Sequence, residues 1–207
     1  MTTSKPAVIR LTRKESQEET RRRLVASAIT LFARSGVAGT SLNAVAEHAG
    51  FTRGAVHGNY SGKDDLALAV AETVAGELAP QLERTLAAPG SGGDRLAAYI
   101  RGFLSYCAKR PEATSALIAV VEYLGRADRG FYNERAAASL GDLIELFEEG
   151  QRNGEMRTFD AKTMAFAVRT VLDSAAARMC GTDVDVEALT DEIVALFEAA
   201  TRSIEFP

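Results

Sequence analysis

Cysteine is scarce in this chain, with only Cys107 and Cys180, far apart in the sequence. Such a pair builds neither a disulfide framework nor a zinc site. Both lie in apolar helical contexts, so buried thiols are expected, with redox sensing as the alternative. Histidine is equally rare. His48 and His57 have no Ser, Cys or Asp arrangement of triad type near them. No His-Glu-x-x-His or Cys/His ligand spacing occurs, so neither a metal nor a cofactor is expected. Acidic pairs such as Glu148-Glu149 and Asp191-Glu192 are neighbours on helices and diverge, so they do not converge on a substrate. Gly90-Ser91-Gly92-Gly93 is the clearest loop, but it lacks the strand before it and the Lys-Ser/Thr after it that a phosphate-binding loop needs. The chain is therefore not expected to be an enzyme. No apolar run approaches the roughly 20 residues that span a bilayer. The amino terminus lacks the apolar core of a signal peptide, so a cytoplasmic protein with no membrane partner is expected. No alternating run is long enough for a strand, and no repeat is visible.

What is present is ordinary in amount and uneven in placement. Hydrophobic residues at 46% and charged residues at 25% are usual for a soluble globular protein. A length of 207 residues fits one medium domain, or a small and a larger one. The net charge of −4 hides an asymmetry. Residues 1–66 carry ten Lys and Arg against six acids, and the remainder carries 14 against 22. A basic end on an acidic body suits a protein that touches a polyanion with one end, although a solvated charged helix has the same count. Residues 1–16, rich in Thr, Ser and Lys around Pro6, read as a flexible arm. Lys5, Arg10, Arg13 and Lys14 there could reach phosphates or a minor groove, and a solvated tail is the plainer reading.

The most informative stretch is residues 41–60. Leu42, Val45, Ala46 and Ala49 recur at helical spacing, capped by Thr40 or Ser41 and closed by Gly50. Thr52 can cap a second short helix whose inward face is Val56 and Tyr60. Two short helices joined by a glycine turn form a helix-turn-helix. Arg53, His57 and Asn59 would face outward, and Gly54 and Gly58 would keep that face low. A small, polar, partly basic face suits the DNA major groove. Arg53 is the best candidate to contact guanine, and His57 and Asn59 can bond to bases or phosphates. Thr40, Ser41, Thr52 and Lys63 sit at helix starts that favour a phosphate, with pure capping an equal reading of Thr40 and Ser41. Arg21-Arg22-Arg23, at the start of a helix over residues 20–34, could lie against the DNA backbone.

The run from about Thr20 to Leu66 resembles the amino-terminal domain of the tetracycline-repressor (TetR) family of bacterial regulators. The resemblance rests on Leu31-Phe32, Gly36, Thr40-Ser41, Val45-Ala46, Ala49-Gly50, Thr52, Gly54, Val56, Tyr60, Lys63 and Leu66, in order and without gaps. It covers about the first third of the chain. Two positions depart from the usual pattern: His57 stands where Tyr is common, and Asn59 where His is common. Tyr60 takes a position that is apolar in the family, so its ring is expected to pack. The resemblance implies a DNA-contacting set of Thr40, Ser41, Thr52, Arg53, Gly54, His57, Asn59, Tyr60 and Lys63.

Beyond Lys63 the sequence reads as helix after helix. One helix runs through Val70 and Val74 toward Leu86, with a kink expected at Pro80. Later stripes are Leu96–Cys107, Leu117–Leu124, Ala136–Phe147, Met164–Met179 and Leu189–Ile204. The fold class is all-α, about nine helices, divided as 1–16 (arm), 17–66 (helix-turn-helix domain) and 67–207 (effector-binding and dimerisation domain). The resemblance implies a homodimer through the last two helices, whose small apolar faces around Ala175, Ala176, Leu196 and Ala200 suit close contact. Two reading heads on one body match pseudo-palindromic double-stranded operator DNA. It also implies an effector pocket in the middle helices, where Phe103, Tyr106, Tyr123, Phe131, Phe147, Met164 and Phe166 would suit an apolar or aromatic small molecule. Plain core is the commoner use of such aromatics. Tyr132 belongs to the same group, and Glu122, Arg126 and Arg169 could supply polar contacts there or form surface ion pairs. The expected function is a ligand-responsive transcriptional regulator that represses until an effector releases it. The competing class is a helical adaptor that binds proteins and has lost specific DNA binding.

Overall fold

Thr12 opens the first helix. Its hydroxyl accepts from the Glu15 backbone N–H at 3.3 Å, and the Glu15 carboxylate accepts from the Thr12 N–H at 2.7 Å. This reciprocal cap satisfies two otherwise unpaired donors, and these bonds hold the Glu15 carboxyl below its usual range. The computed structural model describes residues 12–127, 140–181 and 183–203, and all side chains within them except those at 126 and 127. Lys5, Pro6, Arg10, the Arg126 side chain, Phe131, Tyr132, Ala136 and Ile204 lie outside the described residues.

Helix α1 spans Arg13–Gly39. The sequence placed its start near Thr20 and extended the arm to residue 16. The cap at Thr12 moves Arg13 and Lys14 onto the first turn of α1. The helix is interrupted at Gly36, whose φ of 67° is the left-handed conformation that glycine adopts freely. Then come α2, Leu42–His48, and α3, Arg53–His57. Helix α4 is Lys63–Leu86 and runs through Pro80 unbroken. The body continues with α5, Gly92–Lys109, and α6, Pro111–Ala127. Helix α7 is Gly141–Arg152, α8 is Ala161–Gly181 and α9 is Val186–Thr201. Among the described residues there is no strand, and the single β-bridge joins Met156 to Arg202. The expected all-α class with about nine helices is what the described residues contain.

Apolar side chains gather into two cores. The larger one joins α4, α5, α7, α8 and α9 around Leu96, Ile100, Leu104, Phe147 and Leu172. The smaller one joins α1, α2, α3 and the start of α4 around Leu24, Phe32, Val45, Val56 and Leu66. Each fully buried Leu or Phe contributes about 1.5–3 kcal/mol by leaving water. Two features tie the cores together. Helix α4 gives Leu66, Ala67 and Val70 to the smaller core and Val74, Leu78, Leu82 and Leu86 to the larger. Helix α6 inserts Ala116 and Val120, exposed by 0% and 1%, into the smaller core. The amino-terminal core therefore extends past Leu66 and is completed by a helix from the body.

Candidate nucleic-acid interface

Helix α2 begins where the Ser41 hydroxyl accepts from the Ala44 N–H at 3.1 Å. Its end is closed by Gly50, at φ 75°. Helix α3 has a single turn and a half of chain and is anchored inward by Val56, which is fully buried, and Tyr60, which is 2% exposed. Thr52 stands at the start of α3 but makes no capping hydrogen bond. That corrects its expected capping role and leaves its hydroxyl available. Thr52, Arg53, Gly54, His57 and Gly58 are all exposed. The Arg53 and His57 side chains make no hydrogen bond or ion pair with the described residues. A Cβ at Gly54 would meet nothing closer than the Thr52 hydroxyl at 3.8 Å. Among the described residues nothing requires glycine there.

Four members of the expected DNA-contacting set face elsewhere. Thr40 is buried, and its hydroxyl donates to the Gly36 carbonyl at 2.8 Å, closing the end of α1. Tyr60 is buried as a ring under Arg21, and burial pushes its phenol up despite that cation. Asn59 turns back on α3: its Nδ2 donates to the Ala55 carbonyl at 2.8 Å, and its Oδ1 is buried without a partner. Lys63 donates to the Ala38 carbonyl at 3.1 Å, joining the start of α4 to the end of α1. Ser41 is exposed at its cap. The outward set is thus Ser41, Thr52, Arg53, Gly54 and His57.

The three arginines are exposed, as expected, and each also has a partner within the chain. Arg21 donates to the Asn59 carbonyl at 2.8 Å and lies 4.6 Å from the Tyr60 ring centroid. Arg23 donates to the Ala49 carbonyl at 2.7 Å and lies 4.6 Å from the Phe51 centroid. Arg22 is paired with Glu19 through two bonds of 2.9 and 2.8 Å. Periodicity marked these residues as exposed and could not reveal that two of them fold back onto distant carbonyls.

Among the described residues, those expected to line an effector pocket lie in different places. Phe103 and Phe147 are buried in the larger core, and Phe147 meets Phe159 edge-on with centroids 5.4 Å apart. Met164 packs half-buried against that core. Phe166 is 64% exposed on α8, although Ala165 beside it is fully buried. Tyr123 sits at the other core, and its hydroxyl donates to Asp64 at 2.8 Å, linking α6 to the start of α4. That bond raises the Tyr123 phenol. Tyr106 alone lines an open cleft of about 490 Å³ between α4 and α5, whose other walls are mostly polar: Glu77, Gln81, Ser105, Lys109 and Arg110. Burial, then its 3.0 Å bond to Glu77, pushes the Tyr106 phenol up to about 12. Arg169 is committed to Asp173 at 3.0 Å and covers the Phe103 ring. Glu122 is exposed on α6. Cys107 is buried, which pushes its thiol up to about 11, whereas Cys180 is exposed, contrary to its apolar sequence context. Among the described residues no cluster of His, Cys, Asp and Glu could hold a metal, and no helix is long and apolar enough to cross a membrane.

Comparison with known proteins converges on this geometry. The family model for bacterial regulatory proteins of the tetR family matches residues 24–70, from the second half of α1 into α4. The HTH-type transcriptional regulator AcrR of Shigella flexneri is 42% identical over 53 residues, 26% of this chain. That match spans only 25% of the length of AcrR. A TetR transcriptional regulator from Chloroflexus aurantiacus has a similar fold, with a TM-score of 0.72 and 26% identity, over 91% of this chain and 99% of that one. AibR, solved in complex with isovaleryl coenzyme A and operator DNA, has a similar fold at a TM-score of 0.73 and 18% identity, over 86% of this chain and 97% of that one. The head of the chain, residues 24–70, thus matches the tetR family model by sequence, and the chain over nearly its whole length is similar in fold to a TetR transcriptional regulator.

Proposed function

We propose that the chain is a homodimeric, ligand-responsive repressor that binds pseudo-palindromic operator DNA through α3 and releases it when a small molecule binds the body. The reading is carried by the face of α3. Thr52, Arg53 and His57 are exposed beside Gly54, and Arg53 and His57 are bound by no other described residue. Residues 17–66 would form the DNA-contacting part and 67–207 the effector and dimerisation part, working in the cytoplasm where operator DNA is. AibR was solved with both an acyl coenzyme A and operator DNA, which supports an effector-responsive role for this fold.

Phe166 on α8 and Leu196 on α9, exposed by 64% and 55%, support a second copy covering that face. Two large apolar side chains on adjacent helices lose contact with water when such a face is paired. Pairing would set two α3 helices toward successive major grooves, about 34–36 Å apart. The effector would act by favouring one spacing of the heads over another. Two routes are available for that shift: α4, which belongs to both cores, and α6, which enters the head core and bonds to Asp64.

The test is DNA affinity against salt, for a promoter fragment beside the gene and for unrelated duplex. A repressor loses affinity steeply with salt and keeps a preference for one site. Absence of both would leave the protein-binding adaptor as the better reading. Equal operator affinity with and without every bound effector would remove the coupling.

A further inference from the structure

Helix α3 has five residues, too few to hold its shape alone. Val56 and Tyr60 anchor it on one side only. Its pose also depends on what grips the two chain segments that flank it, 49–51 before and 59–60 after. One arginine of α1 grips each segment. Arg23 donates to the Ala49 carbonyl at 2.7 Å and covers Phe51 at 4.6 Å. Arg21 donates to the Asn59 carbonyl at 2.8 Å and covers Tyr60 at 4.6 Å. Both carbonyls lie at or just past the carboxy-terminal end of a helix, where acceptors are unsatisfied and the dipole is negative. Gly50 lies beside the Arg23 grip: a Cβ there would stand 3.4 Å from Arg23 Nη2.

We propose that Arg21 and Arg23 are positioning residues that hold the reading helix at the angle base recognition needs. They set sequence discrimination without touching a base. The inference rests on the DNA-binding reading above. Each grip uses a planar cation that stacks on a ring and donates in its own plane at once. Lysine carries the same charge but has neither the plane nor the fork. That difference separates positioning from phosphate contact, because a phosphate contact tolerates lysine. Loosening a grip lowers the fraction of molecules with α3 in the reading pose, and operator affinity falls by that fraction. Non-specific attraction to phosphates is indifferent to the pose.

The experiment uses the full chain with Arg21→Lys, Arg23→Lys and the double substitution. Affinity is measured against salt for operator and unrelated duplex, and amide exchange is followed for residues 53–60 in the free protein. The expected result for each single variant is a loss of about 3- to 10-fold in the operator-to-unrelated ratio. The slope of affinity with salt stays the same, and exchange at 53–60 is faster. Lysine variants that keep both the ratio and the exchange rates overturn the proposal. So does an Arg21→Ala or Arg23→Ala variant that lowers the salt slope by about one contact with the ratio unchanged, the signature of a phosphate contact. A wild-type chain with no site preference refutes the DNA-binding reading instead, and the exchange data would then show separately whether the grips hold α3.

Discussion

Val120 belongs by sequence to the body and by packing to the head. It is 1% exposed within the core built by Leu24, Phe32, Val45 and Leu66. Val120→Ala removes two methyl groups from that core. At about 0.8 kcal/mol per buried carbon, plus a cavity penalty because α1 cannot collapse fully onto α6, the cost is about 2–3 kcal/mol. For a chain of this size that lowers the melting temperature by roughly 5–10 °C if head and body unfold together. Amide exchange resolved by segment is the informative assay. Protection should fall in α1 and α2 as well as in α6, because those helices share the cavity. Leu172→Ala, at a fully buried position of the larger core, is the control and should loosen α5 and α8 first. Unchanged exchange in α1 and α2 with a loosened α6 would refute the shared core, and with it α6 as a route from effector to DNA.

Arg53→Ala should cost about 1–3 kcal/mol at one base pair of the operator and relax the preference there, read by competition against single-site operator variants. A uniform loss across all sequences would remove Arg53 from base reading. Leu196→Asp on the exposed face of α9 should shift the protein from dimer to monomer in light scattering and weaken operator binding far more than half-site binding; an unchanged mass would place the interface elsewhere. Tyr106 is held neutral by burial and by Glu77, so the folded state keeps its proton while the unfolded state has lost it. Stability is therefore intact below the usual phenol value of 10.0 and declines as the pH rises from there to about 12. Tyr106→Phe should flatten that decline in alkaline unfolding curves. Cys107 should resist iodoacetamide at about pH 8 in the folded chain and react once urea unfolds it; rapid native labelling would contradict its burial.

The helix-turn-helix was legible because its signals are local. Ser41 caps, Gly50 turns and Val56 alternates inward within twenty residues, and the structure places all three accordingly. The helices were legible from apolar spacing, although their ends were not: α1 is capped at Thr12, eight residues before the start at Thr20 that the sequence suggests. Site residues were read less well for a related reason. Asn59, Lys63, Arg21 and Arg23 are polar, and polarity was taken as facing outward. Each satisfies a backbone carbonyl: Asn59 that of Ala55 in the preceding α3, and the other three carbonyls on a different segment. Carbonyls at helix ends need donors, but periodicity carries no information about which donor arrives.

The aromatic residues of the body make the same point. Phe103, Phe147, Tyr123 and Phe166 are all aromatic residues on helices, yet they end in one core, at the other core and on the surface. Local chemistry along the chain was enough to determine that it forms helices, which of them make the helix-turn-helix, and that one end is basic. Only the tertiary structure decided that α6 completes the smaller core, that Arg21 and Arg23 hold the segments flanking α3, and that Phe166 on α8 and Leu196 on α9 are left exposed. Those outcomes depend on how separate helices meet. A helix's own sequence specifies its stripe, whereas the partner that covers the stripe is chosen by the packing of all the others.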